Sequence, residues 1–450
     1  MSFATDRLSP PEIREWPLQP DQLRPDLAGL HAAHPERYPG LIQSSGATGW
    51  DVLFAFPQET ARITAADGQD VLRAHPAMRA SPYASIQSEQ GLPFSGGWLC
   101  VFAYELGGLF EPRVGMADDP DFPLAWLTRI PAAIVVDRVS GRCVLVAESG
   151  QQGLLDAMAH DLAQTLPAIG ALPPFVRLHE DDPAAFLAGV KRIQAYIRAG
   201  DVFQVNLSRG WQAVFDEVVA PASLFVQLMQ KNPAPFSALV QMEDWAIVSS
   251  SPERLVRLRS DGMLETRPIA GTHPRSEEAA EDAAQRLRLQ AHPKERAEHV
   301  MLVDLERNDL GRVCEPGSVT VPALMEIASY RHVHHIESTV CGKLRRELSV
   351  FDALRAVFPG GTITGCPKVR TMQIIHELEQ TPRRSYTGSV GYINLDGSFD
   401  LNILIRSFLL RGRQLSFRAG AGIVADSIAH RELEETRAKA QGLLRALDIA

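Results

Sequence analysis

The sequence predicts a protein of the mixed α and β class, and three observations support this prediction. Hydrophobic residues make up 45% and charged residues 22% of the chain, as in ordinary globular proteins. Short apolar runs bounded by Pro and Gly, typical of strands, occur beside stretches in which apolar residues have helical spacing. The 450 residues exceed what one core usually organises, so we expect either two domains or one large fused sandwich.

The first predicted domain, residues 1–180, is rich in strands. Apolar runs such as WDVLFAF, GGWLCVFAYE and AAIVVD alternate there with Pro and Gly. Prolines and an acidic cluster in residues 171–183 mark the boundary. The second domain, residues 181–450, opens with a predicted helix that ends at Gly200. Its apolar residues recur at helical spacing: Phe186, Val190, Ile193 and Ile197.

The second domain alternates between predicted strands and helices. Strands are expected at residues 202–208, 245–251 and 414–422, and helices around residues 293–306, 367–380 and 430–447. No repeat of fixed period and no low-complexity tract occurs, which excludes a solenoid.

The composition argues against several kinds of partner and compartment. The formal net charge is -9 and no long basic block occurs, so we do not expect nucleic acid as a partner. The first residues lack the pattern of a signal peptide, and no apolar run reaches the roughly 18 residues of a membrane span, so we expect a cytoplasmic protein. The five cysteines never form a C-x-x-C pair, which predicts free buried thiols.

Two pairs of glutamates predict a site for a divalent cation. Glu295 and Glu298 lie on one face of a predicted helix, and Glu432 and Glu435 repeat this spacing on a second helix. The apolar residues expected to bury these helices are Ala297, Met301 and Leu305 in the first, and Leu433, Ala440 and Leu444 in the second. Mg²⁺ prefers oxygen ligands and keeps waters, so one carboxylate from each helix would bind it directly. Such a pair alone is more often a solvated helix face.

A glycine-containing segment near the C-terminus, RAGAGIVA, predicts an anion site. Gly420 and Gly422 follow a probable strand in a G-x-G-x-x-A pattern. A dinucleotide-binding interpretation fails because only one helix follows, without a second parallel strand or an acidic residue. The two glycines would instead bring backbone N–H groups close to a carboxylate.

Two further loops have the same character. In PGGTITGCPKVR, Gly360, Gly361 and Gly365 precede Pro367, which we place in the first turn of a helix whose free N–H groups favour an anion. In RPIAGTH, Gly271 and Thr272 would offer a backbone donor and a hydroxyl group. Each loop by itself could be an ordinary tight turn. Together with the glutamate pairs, they favour a small substrate that bears several carboxylates.

Nine motifs follow one another in order from about residue 185 to the end of the chain: QVNLSR, SPERL, RPIAGT, ERAEHVMLVDLERND, VHHIEST, PGGTITGCPKVRTMQII, GSVGYI, IRS and AGAGIVADS. In this order they resemble the chorismate-utilising enzymes, a family that includes anthranilate, aminodeoxychorismate, isochorismate and salicylate synthases. The resemblance implies an α/β fold, a four-layer sandwich of two large, mostly antiparallel sheets flanked by helices. It also implies chorismate as the substrate.

The resemblance implies a role for each candidate residue. Glu298 and Glu435 would bind Mg²⁺ directly, while Glu295 and Glu432 would hold its waters. Glu253 would be the general acid that protonates the departing hydroxyl group, and His335 the active-site histidine. Arg406 would grip the enolpyruvyl carboxylate through a bidentate contact. Other residues implied to contact the substrate are Gly271, Thr272, Thr364, Gly365, Tyr386, Gly420, Ala421 and Gly422. The neighbouring His332 and His334 are left as strand residues or a zinc-binding H-x-H pair.

The nucleophile is predicted from one position. Isochorismate and salicylate synthases resemble one another in using a lysine to activate water where this chain has Gln204, and an amide cannot act as that base. Ammonia is therefore the expected nucleophile. Because no glutaminase motif appears, ammonia should arrive from a separate glutamine amidotransferase subunit.

Two aminating activities remain open. The segments LPFSGGWLCVFAYELGGLFE and VHHIEST resemble aminodeoxychorismate synthases, which supply the folate branch through para-aminobenzoate. Ala270 instead resembles anthranilate synthases, because many aminodeoxychorismate synthases have a lysine there that is proposed to attack C2. An NAD-dependent oxidoreductase and a catalytically silent chorismate-binding subunit are the alternatives from other classes. Nicotinamide binding would be required for the first, and product formation would exclude the second.

Overall fold

The computed structural model describes residues 9–18, 24–45, 49–83, 91–116, 119–276, 278–329 and 333–449. The strands are β1 Glu12–Trp16, β2 Gly40–Gln43, β3 Trp50–Ala55, β4 Thr60–Ile63, β5 Gly97–Phe102, β6 Ala125–Ile130, β7 Ala132–Asp137, β8 Cys143–Ala147, β9 Phe175–Glu180, β10 Gln204–Phe215, β11 Phe236–Gln241, β12 Ala246–Ser251, β13 Arg254–Leu258, β14 Met263–Thr266, β15 Ile269–Pro274, β16 Thr320–Ser329, β17 Val333–Lys343, β18 Gly365–Cys366, β19 Ser389–Asn394, β20 Phe399–Asn402, β21 Ser407–Arg411 and β22 Gln414–Ile423. The α-helices are α1 Leu27–Ala33, α2 Gly68–Ala74, α3 Pro76–Arg79, α4 Leu106–Phe110, α5 Gln152–Leu162, α6 Pro183–Arg198, α7 Pro221–Lys231, α8 Ala279–Ala291, α9 Pro293–Gly311, α10 Val350–Val357, α11 Lys368–Glu379 and α12 Ala429–Ala446.

Two large sheets contain all of these strands. The first has 12 strands in the order β1-β8-β7-β3-β2-β11-β12-β21-β22-β10-β18, with β9 also paired to β10. The second has 10 strands in the order β15-β17-β14-β13-β20-β19-β5-β6-β4, with β16 also paired to β17. Each sheet therefore combines strands from both halves of the chain, and the two halves share their cores. The division at residue 180 stays a prediction.

Three hydrophobic cores separate the layers. One lies between the first sheet and helices α1, α5, α7 and α12, and a second lies between the two sheets. The third joins the second sheet to helices α2, α3, α4, α6, α9, α10 and α11, and it includes residues of β10 and β22 from the first sheet. Helices thus cover the outer face of each sheet. This arrangement confirms the four-layer sandwich of mostly antiparallel strands that the family resemblance implies.

The limits of helix α6 are determined by residues at its two ends. It begins after Asp182, whose carboxylate accepts a hydrogen bond of 2.9 Å from the N–H of Ala184, and Pro183 occupies its first turn. It ends just before Gly200, which has a φ of +82°. These are the limits that the sequence predicts. The predicted apolar residues Phe186, Val190 and Ile193 are buried.

The predicted burial of helix α9 is wrong in one respect. Ala297 is exposed, although Leu305 is buried as expected. The helix instead turns His299 and Glu306 inward, and Nε2 of His299 lies 2.6 Å from Oγ of Ser338 on β17. Hydropathy alone could not show this face, because polar partners on the sheet make burial of polar side chains possible.

The buried face of helix α12 is also shifted slightly from the prediction. Leu433 and Ala440 are buried as expected, but Leu443 takes the place of Leu444.

Pro367 also differs from the prediction: it precedes helix α11 as its N-cap residue and does not lie in the first turn. All five cysteines are free thiols, as the sequence predicts, but Cys341 and Cys366 are only partly buried. No helix in the described ranges is long and apolar enough to cross a membrane.

Candidate active site

Two paired strands of the first sheet, β10 and β22, form one wall of the candidate site. Asn206 is opposite Gly422 in this antiparallel pair. Because alternate residues of a strand point to the same face, Gln204 and Asn206 project on the same side as Gly420 and Gly422. A Cβ atom at Gly422 would lie 2.4 Å from Nε2 of Gln204, and one at Gly420 would lie 2.5 Å from Oδ1 of Asn206. The two glycines therefore leave the room that these amide groups occupy.

The amide groups of this wall have oxygen atoms that are not used as hydrogen-bond acceptors within the described part of the chain. Oε1 of Gln204 and Oδ1 of Asn206 are buried and have no hydrogen-bond partner in the described part of the chain. The hydroxyl group of Tyr386 approaches the same wall, 2.9 Å from where a Cβ of Gly420 would be. Buried polar atoms in proteins are normally paired, so a group of spare acceptors indicates a place for a polar ligand. Ala421, between the glycines, turns its side chain into the core.

Glu253 lies where the chain crosses from the first sheet to the second, between β12 and β13. Its backbone is fixed on both sides: its N–H donates to Oγ of Ser251 at 3.2 Å, and its carbonyl accepts from the N–H of Ile403 at 3.0 Å. The side chain is buried, and its Oε1 has no hydrogen-bond partner among the described residues. Burial raises the pKa of Glu253 to about 8, so the carboxyl group keeps its proton at neutral pH.

Arg406 lies where the chain returns from the second sheet to the first, just before β21. Its backbone has a φ of +51°, and its carbonyl accepts hydrogen bonds from the N–H and Oγ of Ser250 at 3.1 and 3.2 Å. No described residue forms an ion pair with its guanidinium group. Burial lowers the pKa of Arg406, although an arginine keeps its charge in proteins. An inward-facing cation without a protein anion is suited to bind a carboxylate.

His335, on β17 of the second sheet, lies close enough to Arg406 to be affected by its charge. Its ring is buried, and its Nδ1 lies 3.2 Å from the carbonyl oxygen of Gly271 on the neighbouring strand β15. Burial, assisted by the charge of Arg406, lowers the pKa of His335 to about 4. The ring is therefore neutral at pH 7. Gly271 itself has a φ of +71° and sits at an irregularity of the β15–β17 pair, a conformation that favours glycine.

The loop before helix α11 holds the start of β10. Gly365 has a φ of +128°, and a Cβ there would lie 2.1 Å from the carbonyl oxygen of Gln204. The carbonyl of Thr364 accepts a hydrogen bond of 2.8 Å from the N–H of Asn206, while its hydroxyl group donates to the carbonyl of Gly360. Gly365 and Thr364 therefore position the strand that carries the two amides. The proton of the Thr364 hydroxyl group is used within its own loop.

The four predicted metal ligands lie on helices α9 and α12. A cleft of about 330 Å³ is lined by Glu298 on α9 and by residues 424–426, which lead into α12. The carboxylate of Glu295 approaches Gly271, with its Oε2 2.9 Å from the position of an added Cβ. Glu432 is buried, whereas Glu435 is partly exposed and lies 2.7 Å from Nζ of Lys439. The two glutamates of α12 therefore differ in burial.

The donor set fits a hard divalent cation, since all four side chains are carboxylates. No group of three or more His, Cys, Asp or Glu side chains in the described ranges is arranged to hold a metal ion. A Mg²⁺ ion that keeps waters and accepts a substrate carboxylate needs only one side chain from each helix. The metal site stays a prediction.

Two predicted positions can be described only in part. Thr272 is paired through its backbone with His335 in the β15–β17 ladder, and its side chain lies outside the described atoms. His332 lies outside the described residues. His334 is buried, with Nδ1 2.8 Å from Oγ of Ser329 and Nε2 2.9 Å from Asp282. It therefore has a structural role on its strand.

Sequence reasoning missed two residues of the site, Asn206 and Lys439. Asn206 was detectable, because it follows Gln204 at the strand period of two. Lys439 donates a hydrogen bond of 3.0 Å to the carbonyl oxygen of Gly420, and it pairs with Glu435 one helical turn earlier. The spacing from Glu435 predicts the ion pair, but the contact with Gly420 depends on how α12 packs on β22. Lys439 adds a second cation beside the glycine wall.

Comparisons with known proteins show which family the chain belongs to. Residues 38–445 match the family model of the chorismate binding enzymes. The chain is 39% identical over 399 residues to aminodeoxychorismate synthase component 1 of Klebsiella aerogenes, covering 87% of this chain and 85% of that protein. It is also 39% identical over 382 residues to anthranilate synthase component 1 of Aquifex aeolicus, covering 80% and 76%. The crystal structure of anthranilate synthase component I from Streptococcus pneumoniae aligns with a TM-score of 0.77 and 31% identity, covering 89% of this chain and 93% of that one.

The fold and the family match together define a chorismate-utilising enzyme. This chain belongs to the chorismate binding enzyme family, and the resemblance of its nine motifs is thereby confirmed. The relatives divide between aminodeoxychorismate and anthranilate synthases at equal identity, so overall similarity does not select one of these activities.

Proposed function

We propose that this chain is the chorismate-aminating component of an aminodeoxychorismate synthase. It would convert chorismate and ammonia to 4-amino-4-deoxychorismate, with Mg²⁺ as cofactor, in the cytoplasm. The observation that supports amination most directly is Glu253, a buried carboxyl group protonated at neutral pH, in a site whose strand β10 presents the amide of Gln204. That combination supplies an acid for a departing hydroxyl group and, at the position of Gln204, no base for water.

Recognition of the substrate follows from charge. Chorismate is a dicarboxylate, and Arg406 and Lys439 are two cations of the site. Arg406 would bind the enolpyruvyl carboxylate through two N–H groups, with the hydroxyl of Tyr386 beside it. When bound, Mg²⁺ would neutralise the ring carboxylate and hold it between α9 and α12, with Glu298 and Glu435 as direct ligands and Glu295 and Glu432 holding its waters.

Loss of the hydroxyl group requires a proton. Glu253 would donate its proton to the C4 oxygen as the C–O bond breaks, so that water leaves instead of hydroxide and Glu253 becomes a carboxylate. The nearby charge of Arg406 would stabilise that carboxylate. The neutral ring of His335 would accept a proton from the attacking ammonium nitrogen once the C–N bond has formed.

The absence of a base at the position of Gln204 selects the nucleophile. Its amide has no basicity at neutral pH, so it cannot remove a proton from water, whereas ammonia attacks without prior deprotonation. The spare acceptor Oε1 of Gln204 would instead accept a hydrogen bond from an N–H of ammonia. A separate glutamine amidotransferase subunit would deliver the ammonia, and free ammonium salts would replace it in its absence.

Anthranilate synthase activity is the second candidate, and Ala270 is the observation that favours it. Ala270 lies on β15 next to Gly271, and its methyl group cannot attack C2. Replacing the C4 hydroxyl group by two successive displacements requires a temporary nucleophile at C2. In this chain ammonia or water would take that place, or the amine would stay at C2, and elimination of the enolpyruvyl group as pyruvate would then yield anthranilate.

Product analysis decides between the two candidates. Purified chain is incubated with chorismate, Mg²⁺ and ammonium, with and without aminodeoxychorismate lyase, and the products are identified by mass and fluorescence. We expect para-aminobenzoate only when the lyase is present. Fluorescent anthranilate formed by the chain alone would establish the second candidate, and no product in either reaction would reject both.

A further inference from the structure

The loop that carries Tyr386 has an unusual backbone. Arg384 and Thr387 have φ values of +54° and +61°, which are unfavourable for side-chain-bearing residues and persist only where the surroundings impose them. The loop places the Tyr386 hydroxyl group against the Gly420 wall. It also directs the buried guanidinium of Arg383 to the carbonyl oxygen of Asn206 at 2.8 Å. A small change in this loop would therefore move two contacts of the candidate site.

Glu105, from the N-terminal half of the chain, imposes this conformation. Its Oε1 accepts a hydrogen bond of 2.6 Å from the N–H of Arg383, and its Oε2 accepts one of 3.0 Å from the N–H of Arg384. The preceding residue, Tyr104, donates its N–H to the carbonyl of Arg384 at 2.8 Å. The carboxyl group is buried, and no described residue forms an ion pair with it. Each oxygen thus holds one backbone N–H of the loop.

We propose that Glu105 is a positioning residue that holds Tyr386 in place and thereby sets the affinity of the site for the substrate carboxylate. Glu105 would act only through the loop, since it donates nothing to the site itself. The role of Tyr386 in binding chorismate is part of the proposed function, and the inference rests on it. Burial of a carboxyl group is costly unless its hydrogen bonds are made, which explains why both oxygens are used.

The consequence can be measured with Glu105→Gln. The amide keeps the shape but presents an N–H₂ group to one of the two backbone donors, so one hydrogen bond is replaced by a repulsive contact. We expect the Kd and KM for chorismate to rise about tenfold, the scale of one hydrogen bond, with a smaller change in kcat. Asp161→Asn is the matched control, because Asp161 is equally buried but holds Arg37 and Tyr38 in another core. This control should lower Tm without changing Kd.

A double-mutant cycle with Tyr386→Phe separates positioning from general destabilisation. If Glu105 acts through Tyr386, the double variant should bind chorismate about tenfold more weakly than the wild type, no worse than either single variant. Independent effects would multiply to about a hundredfold loss, and that result would overturn the proposal. If Glu105→Gln does not fold, the same cycle is measured with Glu105→Asp, which keeps the carboxyl group and shortens the side chain.

Direct binding measurements test the role of Glu105 independently of the proposed function. Kd is determined by calorimetry with chorismate and Mg²⁺, without ammonia and without turnover. A chain that binds chorismate but forms no aminated product would refute the proposed function, and the cycle on Kd would still decide the role of Glu105. An unchanged Kd for a folded Glu105→Gln protein would refute the role of Glu105 alone.

Discussion

Nδ1 of His335 lies 3.2 Å from the carbonyl oxygen of Gly271, and this contact determines which ring nitrogen carries the proton. A carbonyl oxygen can only accept, so the proton of the neutral imidazole is on Nδ1 and the lone pair is on Nε2. The pKa of His335 is lowered to about 4, mainly by burial. The histidine is therefore a base throughout the physiological range, and of His335 and Glu253 it is Glu253 whose charge changes near neutral pH.

The pH dependence of kcat should therefore have one limb near neutrality. The acid form of Glu253 is needed, and its pKa is raised to about 8, so activity should be constant below about pH 7 and fall as the pH rises through about 8. Rates are compared at a constant concentration of unprotonated ammonia, because ammonia itself titrates at alkaline pH. A rate that stays constant to about pH 10 would exclude Glu253 as the acid.

Replacing Glu253 by Gln should separate chemistry from binding. The amide keeps the shape but has no transferable acid proton, so kcat should fall by a factor of about 10² to 10⁴, while the Kd for chorismate changes little. Turnover is measured from product formation and binding by calorimetry. An unchanged kcat would reject the assignment of Glu253.

Arg406→Ala should weaken binding. Loss of one charge-assisted pair should raise the KM for chorismate by about ten- to a hundredfold. Arg411→Ala is a suitable control, since Arg411 ends the strand that follows Arg406, pairs with exposed Asp244 and should leave KM unaltered. The role of Arg406 would be refuted by a variant whose KM and kcat both match the wild type.

Gly422→Ala should fill the space between strand β22 and the amide of Gln204. The new Cβ would lie 2.4 Å from Nε2 of Gln204, so the amide must move into the space that we assign to ammonia. We expect at least a tenfold loss of kcat/KM for ammonia, on the scale of about 1.4 kcal/mol. Gly153→Ala, where nothing lies within 4 Å of the added methyl group, should be neutral. Normal activity of the Gly422 variant would contradict a close approach of substrate to this strand.

Removal of divalent cations should abolish turnover reversibly. Treatment with EDTA is followed by addition of Mg²⁺, with product formation as the measurement. Glu298→Gln and Glu435→Gln should raise the Mg²⁺ concentration required for half-maximal activity. Glu434→Gln, next to Glu435 but exposed and paired with Arg437, should not. Full activity of the EDTA-treated chain with chorismate and ammonium would contradict the cation site.

Much of the site lies in motifs that can be recognised in the sequence. A feature was predicted correctly where it depends on neighbouring residues of the chain. The amides and glycines of β10 and β22 follow the strand period, which local sequence sets. Helix α6 was correctly delimited because its cap residues are also local. The burial of His299 and Glu306 on α9, in contrast, depends on partners supplied by the sheet, and periodicity of apolar residues does not reveal such partners.

The sequence by itself determined the class, the family and the residue types that the site presents, because strand and helix periods, caps and motifs are properties of neighbouring residues. The tertiary structure decided which of them meet. Glu253 and Arg406 converge only because the chain crosses between the two sheets at both positions, and Lys439 reaches Gly420 only because α12 packs on β22. Contacts between distant segments depend on the packing of whole layers, and that information is spread over the entire chain.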